Sequence, residues 1–493
     1  MATETFPGAS PALAPAAKRG RSSALKITLE ALPVMVLSLL GFLLSGYELD
    51  NMARWTPFVK VDKLLILVPI IMNLKGNLEV NLSLRMSTAA NIGELDNRRT
   101  RRALVTGNLA LLQVQGLLVS SLAGALSFAL GQYRSGAVSR AAQPTQPRGP
   151  VRVPSHAEDG GARMRNGYFE FALVLACAML STSVSSAVQG SFLCALVIWA
   201  CRTGRDPDNT VVPLASSLGD IVTLTVLGLL AALLVRFQKT WLATAIFIAL
   251  MGACVAFVIA TLRNAYVREL LGLGWTPLLL AAVISSWAGL LLDQNAAQYT
   301  GIALLSPGMA GLPGVSASVL VSCTTTALHS GRVSAPTRPT NAGSGYMPIT
   351  DSAAPPADGE GHPTDAALAP PSGRWHWIAS VRLSSPADGW TVPLTLLMNS
   401  ITVQGSFLLL LHISGRLLVS WLFAALYMAL SLVLTVFALV FAHWLTYFLW
   451  YWDYDPDMSC MPFVTATVDV VAQVLLLAMF SCADALGESV KGA

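Results

Sequence analysis

Two aspartates inside long apolar segments, Asp220 and Asp469, are the residues whose type and position best suit chemistry. Each follows the first residue of an Asp-Pro-Asp tripeptide by fourteen positions, so a helix would carry its carboxylate about 21 Å into a bilayer. No lysine or arginine lies within one helical turn of either. Protonated or interhelically bonded carboxyl groups are the alternative, but a pair of carboxylates suits a hard divalent cation. We therefore predict a metal site at these two residues, and Mg²⁺ fits it because Mg²⁺ binds few carboxylates and keeps several waters.

Hydroxyl side chains share the helical faces of both aspartates and are predicted to line the same pathway. Pro213 and Pro462, each seven positions before an aspartate, would free carbonyl oxygens one turn back as further oxygen ligands. The lining hydroxyl residues are Ser216, Ser217, Thr223 and Thr465.

The Asp-Pro-Asp tripeptides mark where these two segments begin. An aspartate before proline is typical of a helix N-cap, and the second aspartate favours the positive helix end. Capping is therefore the main role expected, and attraction of cations to a pore entrance is secondary. The acidic residues of the two predicted entrances are Asp206, Asp208, Asp455 and Asp457.

The stretch 61–97 carries a polar helical face within an apolar segment of membrane length. Such a face either lines a water-filled path or joins helices by hydrogen bonds, and both alternatives remain open. Its residues are Asn77, Asn81, Arg85 and Thr88, at helical spacing. Lys75 and Glu79, four residues apart, are placed to pair with each other.

The composition indicates an integral membrane protein. Of 493 residues, 54% are hydrophobic and 12% are charged, and the mean hydropathy is +0.60. A net charge of +4, spread over loops, gives no case for nucleic acid as a partner. The seven cysteines form no CxxC pair, so neither a disulfide framework nor a thiolate metal site is indicated.

The hydropathy pattern predicts about eleven transmembrane helices. They are 27–48, 62–95, 103–132, 167–201, 207–236, 241–262, 272–293, 297–329, 390–413, 416–449 and 457–486. Residues 1–26 and the loops 134–165 and 330–388 are predicted to be disordered because they lack apolar surface to bury, and 487–493 forms a tail. The basic run 98–102 is predicted to be cytoplasmic, which places the N-terminus inside. The loop 133–166 opposes this orientation, since it carries six arginines on the outer side.

An internal repeat relates the two halves of the chain. Asp206 and Asp455, Pro213 and Pro462, and Asp220 and Asp469 are each separated by 249 residues. The same duplication aligns Gly46 and Asp50 with Gly289 and Asp293. It predicts two five-helix repeats, 27–236 and 272–486, joined by a linker helix at 241–262. The extra helix gives both halves the same orientation, so a pseudo-twofold axis is expected along the membrane normal.

Two stretches resemble a known family. LVPIIMNLKGNLEVNLSLRMSTAANIGELD (67–96) and PDNTVVPLASSLGDIVTL (207–224) are similar to the two signatures of the eukaryotic MgtE-like magnesium transporters, solute carrier family 41. The resemblance covers about 27–330 and 390–486, and in it Asp220 matches the pore aspartate. It implies a multi-pass transporter in which two MgtE-like repeats act as an internal dimer within a monomer.

The second repeat departs from that pattern. The family's glycine-glycine-asparagine motif is Pro313, Gly314 and Val315 here, its arginine is Cys323, and the glycine before the last aspartate is Val468. Transport of Mg²⁺ or a similar divalent cation through a central pathway is the expected function. Sodium–magnesium exchange, or a non-conducting regulatory membrane partner, are the alternatives.

No enzyme is expected, since no nucleophile–base pair or phosphate-binding loop is present. No cofactor is expected either, because Mg²⁺ would be the transported ion. The lipid bilayer is the expected surrounding, and the plasma membrane is preferred over an organelle membrane.

Overall fold

The computed structural model describes residues 20–486, with gaps at 92, 142–166, 204–206, 273, 297, 300, 330–389, 418–419, 453 and 455. Within these residues the chain is helical, without an extended sheet, and the predicted all-α class is confirmed. The helices, numbered here in chain order, are α1 (Gly20–Arg54), α2 (Thr56–Lys60), α3 (Lys63–Asn91), α4 (Arg98–Ala141), α5 (Tyr168–Arg202), α6 (Pro207–Val235), α7 (Leu242–Leu262), α8 (Trp275–Ala296), α9 (Ile302–His329), α10 (Thr391–Ile413), α11 (Trp421–Tyr451) and α12 (Pro456–Ala485).

The long helices coincide with the eleven predicted spans. Nine of the helices in the described ranges are long and apolar enough to cross a membrane, and the part of α6 at 219–235 is a shorter apolar segment. An integral multi-pass membrane protein is therefore supported, while eleven crossings remain a prediction.

Glycines in a left-handed conformation fix helix boundaries that the hydropathy pattern misplaced. Gly301 and Gly415 have φ of 93° and 71°, so α9 and α11 begin after these turns rather than at 297 and 416. Gly93, with φ of 87°, ends α3 in a Schellman motif: its N–H donates to the Ala90 carbonyl, and the Glu94 N–H donates to that of Ala89.

Two boundaries correct the predicted disorder. Helix α1 begins at Gly20, inside the N-terminal segment expected to lack structure, and α4 continues to Ala141, inside the loop expected to be disordered from 134. Neither stretch contains a proline, so nothing in the backbone stops the helix there. Residues 1–19, 142–166, 330–389 and 487–493 lie outside the described residues.

Helix packing follows the repeat. Helix α3 packs against α4, α5 and α6, and α9 packs against α10, α11 and α12 in the equivalent way. The first helix of each half crosses to the other half, since α1 packs on α9 and α8 packs on α3. Helix α7 packs against α4 and α5 and links the two halves.

Two glycines at equivalent positions of the repeat allow these crossings. A Cβ atom added to Gly46 would lie 2.3 Å from the carbonyl oxygen of Leu304, and one added to Gly289 would lie 2.1 Å from that of Ile66. The glycines are equivalent in the repeat, and so are the two carbonyl groups that they contact. Each repeat is therefore held to the other by backbone contact that admits no side chain.

We expect Gly46→Ala and Gly289→Ala each to lower the free energy of unfolding by about 1–3 kcal/mol, because the added methyl group overlaps backbone that cannot rotate away. Thermal unfolding of the purified chain in detergent measures the effect. Gly252→Ala in α7 is the control, since a Cβ there meets nothing within 4 Å. That change should not destabilise the protein, because alanine is the better helix former by about 1 kcal/mol. Equal stability of all three variants would contradict the close crossing.

Candidate functional site

An amide face of α3 holds the aspartate of α12. The Nδ2 group of Asn73 donates to Oδ2 of Asp469 at 3.0 Å. Asn77 Nδ2 lies 3.2 Å from Oγ1 of Thr465, and it also lies within hydrogen-bond distance of the Asn73 carbonyl and side-chain oxygens, at 2.8 and 3.1 Å. A helix of the first repeat thus orients a carboxylate of the second repeat.

Asn73 is the site residue that sequence reasoning missed. It lies one turn before Asn77 on the same face of α3, so extending the polar face by one step toward the N-terminus would have included it. The residues before it are apolar (LVPIIM), so the sequence pattern places the start of the polar face of α3 at Asn77.

The second carboxylate comes from α6. Asp220 is partly exposed, as is Asp469, and the two lie within electrostatic range of each other. Asp220 is also within electrostatic range of Lys75 and Glu79 of α3. Within the described residues no ion pair neutralises either aspartate, because Lys75 binds Glu79 instead. Each repeat therefore contributes one of the predicted acidic residues, and the two lie within electrostatic range of each other.

The opposite face of α3 carries a buried ion pair. Lys75 and Glu79 form the predicted salt bridge, with side chains 2% and 1% exposed. The second carboxylate oxygen of Glu79 faces α6, where a Cβ atom added to Gly219 would lie 2.5 Å from it. Gly219 directly precedes Asp220, so the ion pair and the acidic site meet at the same turn of α6.

Arg85 and Thr88, further along the polar face of α3, have partners outside this site. Arg85 donates from Nε to Oδ1 of Asn108 in α4 at 3.0 Å, which is the interhelical alternative rather than pore lining. Thr88 is exposed and donates to the Leu84 carbonyl, and Asn81 is partly exposed. The reason is geometric: eight residues on a helix turn about 80° beyond two full circles, so the face drifts away from α12.

The predicted hydroxyl ligands have different environments. Thr465, partly exposed, donates to the Met461 carbonyl at 2.9 Å and lies against Asn77. Thr223 is 2% exposed and donates to the Gly219 carbonyl at 2.6 Å, so its hydroxyl group forms a hydrogen bond within α6. Ser216, Ser217 and Asp208 of α6 and Asp457 of α12 belong to described helices, but their side chains lie outside the described part, as do the residues Asp206 and Asp455.

The polar lining is one-sided. The repeat aligns Asn73 and Asn77 of α3 with Gly311 and Val315 of α9, which offer no amide. A Cβ at Gly311 would lie 2.4 Å from the Phe42 ring, and Val315 packs against the apolar core of the second half. Among the described residues, the amides that bind Asp469 and Thr465 come from the first repeat.

The arrangement suits an ion that keeps most of its water. The described residues contain no group of three or more acidic, histidine or cysteine side chains that could enclose a metal. Two carboxylates with neighbouring amide and hydroxyl oxygens can hold a hydrated cation, and Mg²⁺ is bound in this manner.

The chain is similar to proteins of one family. A family model described as "MgtE: Divalent cation transporter" matches residues 68–230 and 379–479, which together exceed half of the chain. Solute carrier family 41 member 3 of Rattus norvegicus is 32% identical over 302 residues, 61% of this chain and 59% of that protein. Solute carrier family 41 member 2 of Gallus gallus is 28% identical over 475 residues, 94% of this chain and 71% of that protein. This chain thus spans less than two thirds of the length of the first of these relatives, and no solved structure matches it.

Gly219→Val should strongly destabilise the protein, by about 1–3 kcal/mol, because the new side chain displaces the Glu79 carboxylate. Thermal unfolding tests this directly. At the aligned positions the second repeat has apolar residues, Ala317 in place of Glu79 and Val468 in place of Gly219. In a Lys75→Leu/Glu79→Ala background, Gly219→Val should therefore lower the free energy of unfolding only slightly.

The matched control for that prediction is Gly76→Ala in α3, where a Cβ meets nothing within 4 Å. The packing described here is wrong if Gly219→Val is tolerated in the wild-type background, or if the Lys75→Leu/Glu79→Ala background gives no relief.

Proposed function

Since the chain belongs to the MgtE family of divalent cation transporters, we propose that it carries Mg²⁺ or a similar divalent cation across a membrane. In this proposal the ion passes between α3, α6 and α12, where Asp220 and Asp469 are the central oxygen ligands. The relatives named solute carrier family 41 support a transport function, and the acidic site supplies the chemistry.

The observation that carries the proposal is the pair of carboxylates from the two repeats. They are partly exposed, lie in electrostatic range of each other, and face no direct basic partner among the described residues. Two like charges kept close in a membrane protein repel each other, and a divalent cation between them removes that repulsion. The site therefore favours a charge of +2.

The amide groups of α3 have a positioning role in this proposal. Asn73 fixes Asp469 by one hydrogen bond, and Asn77 holds Thr465 one turn earlier on α12. Both interactions leave the other carboxylate oxygen of Asp469 for a water of the hydrated ion. Oriented ligands of this kind select an ion by its charge and its hydration shell without removing all of its water.

The same proposal includes the assembly and the location. One chain acts as an internal pseudo-dimer, because both acidic helices come from it, and the protein resides in the plasma membrane with its N-terminus in the cytoplasm. A sodium-coupled exchange by the same scaffold is the variant that an imposed sodium gradient tests.

A non-conducting regulatory partner is the second candidate function. The observation favouring it is the one-sided lining, because α9 presents Gly311 and Val315 where α3 presents two amides. Flux through the purified chain separates the two candidates, since a regulatory partner would carry none by itself.

Asp220→Asn and Asp469→Asn should each reduce Mg²⁺ flux into proteoliposomes by at least about tenfold, because the loss of one unit charge beside a divalent ion costs more than about 1.4 kcal/mol. The measurement uses a Mg²⁺-sensitive dye inside the vesicles, with and without a sodium gradient. Asp50→Asn is the matched control, because that carboxylate already binds the largely exposed Arg54 at 2.9 Å. It should keep its flux. Wild-type flux in both aspartate variants would rule out the central site, and absence of flux in the wild type would favour the regulatory partner.

A further inference from the structure

The buried ion pair of α3 lies where a purely structural pair would gain little. Lys75 and Glu79 are almost fully buried, and desolvation of two charges offsets most of their mutual attraction. The described part of the chain has a second buried pair, Lys63 with Glu170 at 2.9 Å, at the start of α3, where Lys63 also binds Asp62 at 3.0 Å. Both glutamates have a buried carboxylate oxygen without a hydrogen-bond partner among the described residues, so the two pairs differ in what that oxygen faces.

Glu79 has an oxygen that its lysine does not occupy. Its Oε1 binds Lys75, whereas its Oε2 is buried without a hydrogen-bond partner among the described residues. This oxygen abuts the backbone of Gly219, the residue before Asp220. An unpartnered carboxylate oxygen inside a protein is costly, so its direction toward the acidic site needs an explanation.

We explain the direction of this oxygen by the charged groups that lie within electrostatic range of Asp220. They are Asp469, Glu79 and Lys75. When a bound cation keeps all four groups ionised, three carboxylates, Asp220 included, and one ammonium group give a sum of −2, which equals the charge that one divalent cation neutralises.

We propose that the Lys75–Glu79 pair is part of the ion site, with Glu79 adding to the attraction for the cation and Lys75 limiting the net charge to −2. The inference rests on the proposed function and assigns to this pair the selection of a divalent charge. Neither residue contacts the ion directly: Glu79 acts from behind Asp220 across the Gly219 backbone, and Lys75 acts through Glu79.

The second repeat is consistent with the two charges acting as a unit. The positions aligned with Lys75 and Glu79 are Pro313 and Ala317, so both charges are absent there together. A single one would have left an uncompensated buried charge, which costs more than a pair. The second repeat consequently contributes Asp469 and no further charge to the sum.

A charge series tests the proposal in the full chain. The variants are Glu79→Gln, Lys75→Gln and the double variant, which give sums of −1, −3 and −2. Mg²⁺ affinity is measured as metal-dependent thermal stabilisation of the purified protein, because a ligand that binds the folded state raises its stability with concentration. Flux into proteoliposomes is the second measurement.

Glu79→Gln should weaken Mg²⁺ binding by about tenfold or more, and Lys75→Gln should strengthen it by a similar factor while slowing flux. The Mg²⁺ affinity of the double variant should lie between the affinities of the two single variants. If Glu79→Gln does not fold, Lys75→Gln and the double variant decide, since tighter binding by Lys75→Gln alone supports the proposal and unchanged affinity overturns it.

The other buried pair supplies the matched control. Lys63 is twelve residues from Lys75, about 18 Å along α3. Lys63→Gln and Glu170→Gln should lower stability without changing Mg²⁺ affinity. Equal changes in affinity at both pairs, or unchanged affinity in Glu79→Gln, would show that the Lys75–Glu79 pair is structural only.

The outcomes separate this inference from the proposed function. If the wild type neither binds nor carries a divalent cation, both fail. If Asp220→Asn abolishes Mg²⁺ binding while Glu79→Gln binds as the wild type does, the proposed function stands and only the role of the Lys75–Glu79 pair is overturned.

Discussion

The high cost of placing charges in hydrocarbon is the constraint on which this structure depends. The ionisable groups of α3, α6 and α12 near the site differ in how far a partner offsets that cost. Lys75 and Glu79 neutralise each other, and Asp469 is held by the amide of Asn73. Asp220 has neither kind of direct partner among the described residues, and it stands at the boundary between the two repeats. Asp220 is thus the least compensated of these carboxylates.

Close contact between the repeats makes this arrangement possible. The crossings of α1 on α9 and of α8 on α3 bring backbone to backbone at Gly46 and Gly289. Because each half supplies a helix to the packing of the other, neither half has a complete bundle by itself. Asp469 of the second half accepts a hydrogen bond from Asn73 of the first across this contact.

The two repeats keep a common backbone arrangement while their side chains differ. In the first, an acidic side chain fills the space over a glycine of α6; in the second, the aligned positions are Ala317 and Val468, both fully buried. This exchange keeps the volume in place and removes the charge, as a close-packed interior requires. The aspartates are consequently equivalent in the two repeats, whereas the α3 residues around them have no polar counterparts at the aligned positions of α9.

The sequence by itself determined the helices, the repeat and the acidic pair. Apolar runs of membrane length, the spacing of 249 residues and two aspartates without nearby basic residues are local patterns, and they need no knowledge of which helices touch. The i, i+4 pairing of Lys75 and Glu79 belongs to the same class, because both residues lie on one helix.

Only the tertiary structure decided which polar groups meet. Asn73 stood among apolar residues and became a site residue because α12 passes beside it, whereas Arg85, on the same predicted face, turned to α4. Helical periodicity gives the direction of a side chain about its own axis, but a neighbour's position depends on how whole helices cross. Those crossings include close backbone contacts at two glycines of other helices, Gly46 and Gly289, so the lining could not be derived from the pattern of α3 alone.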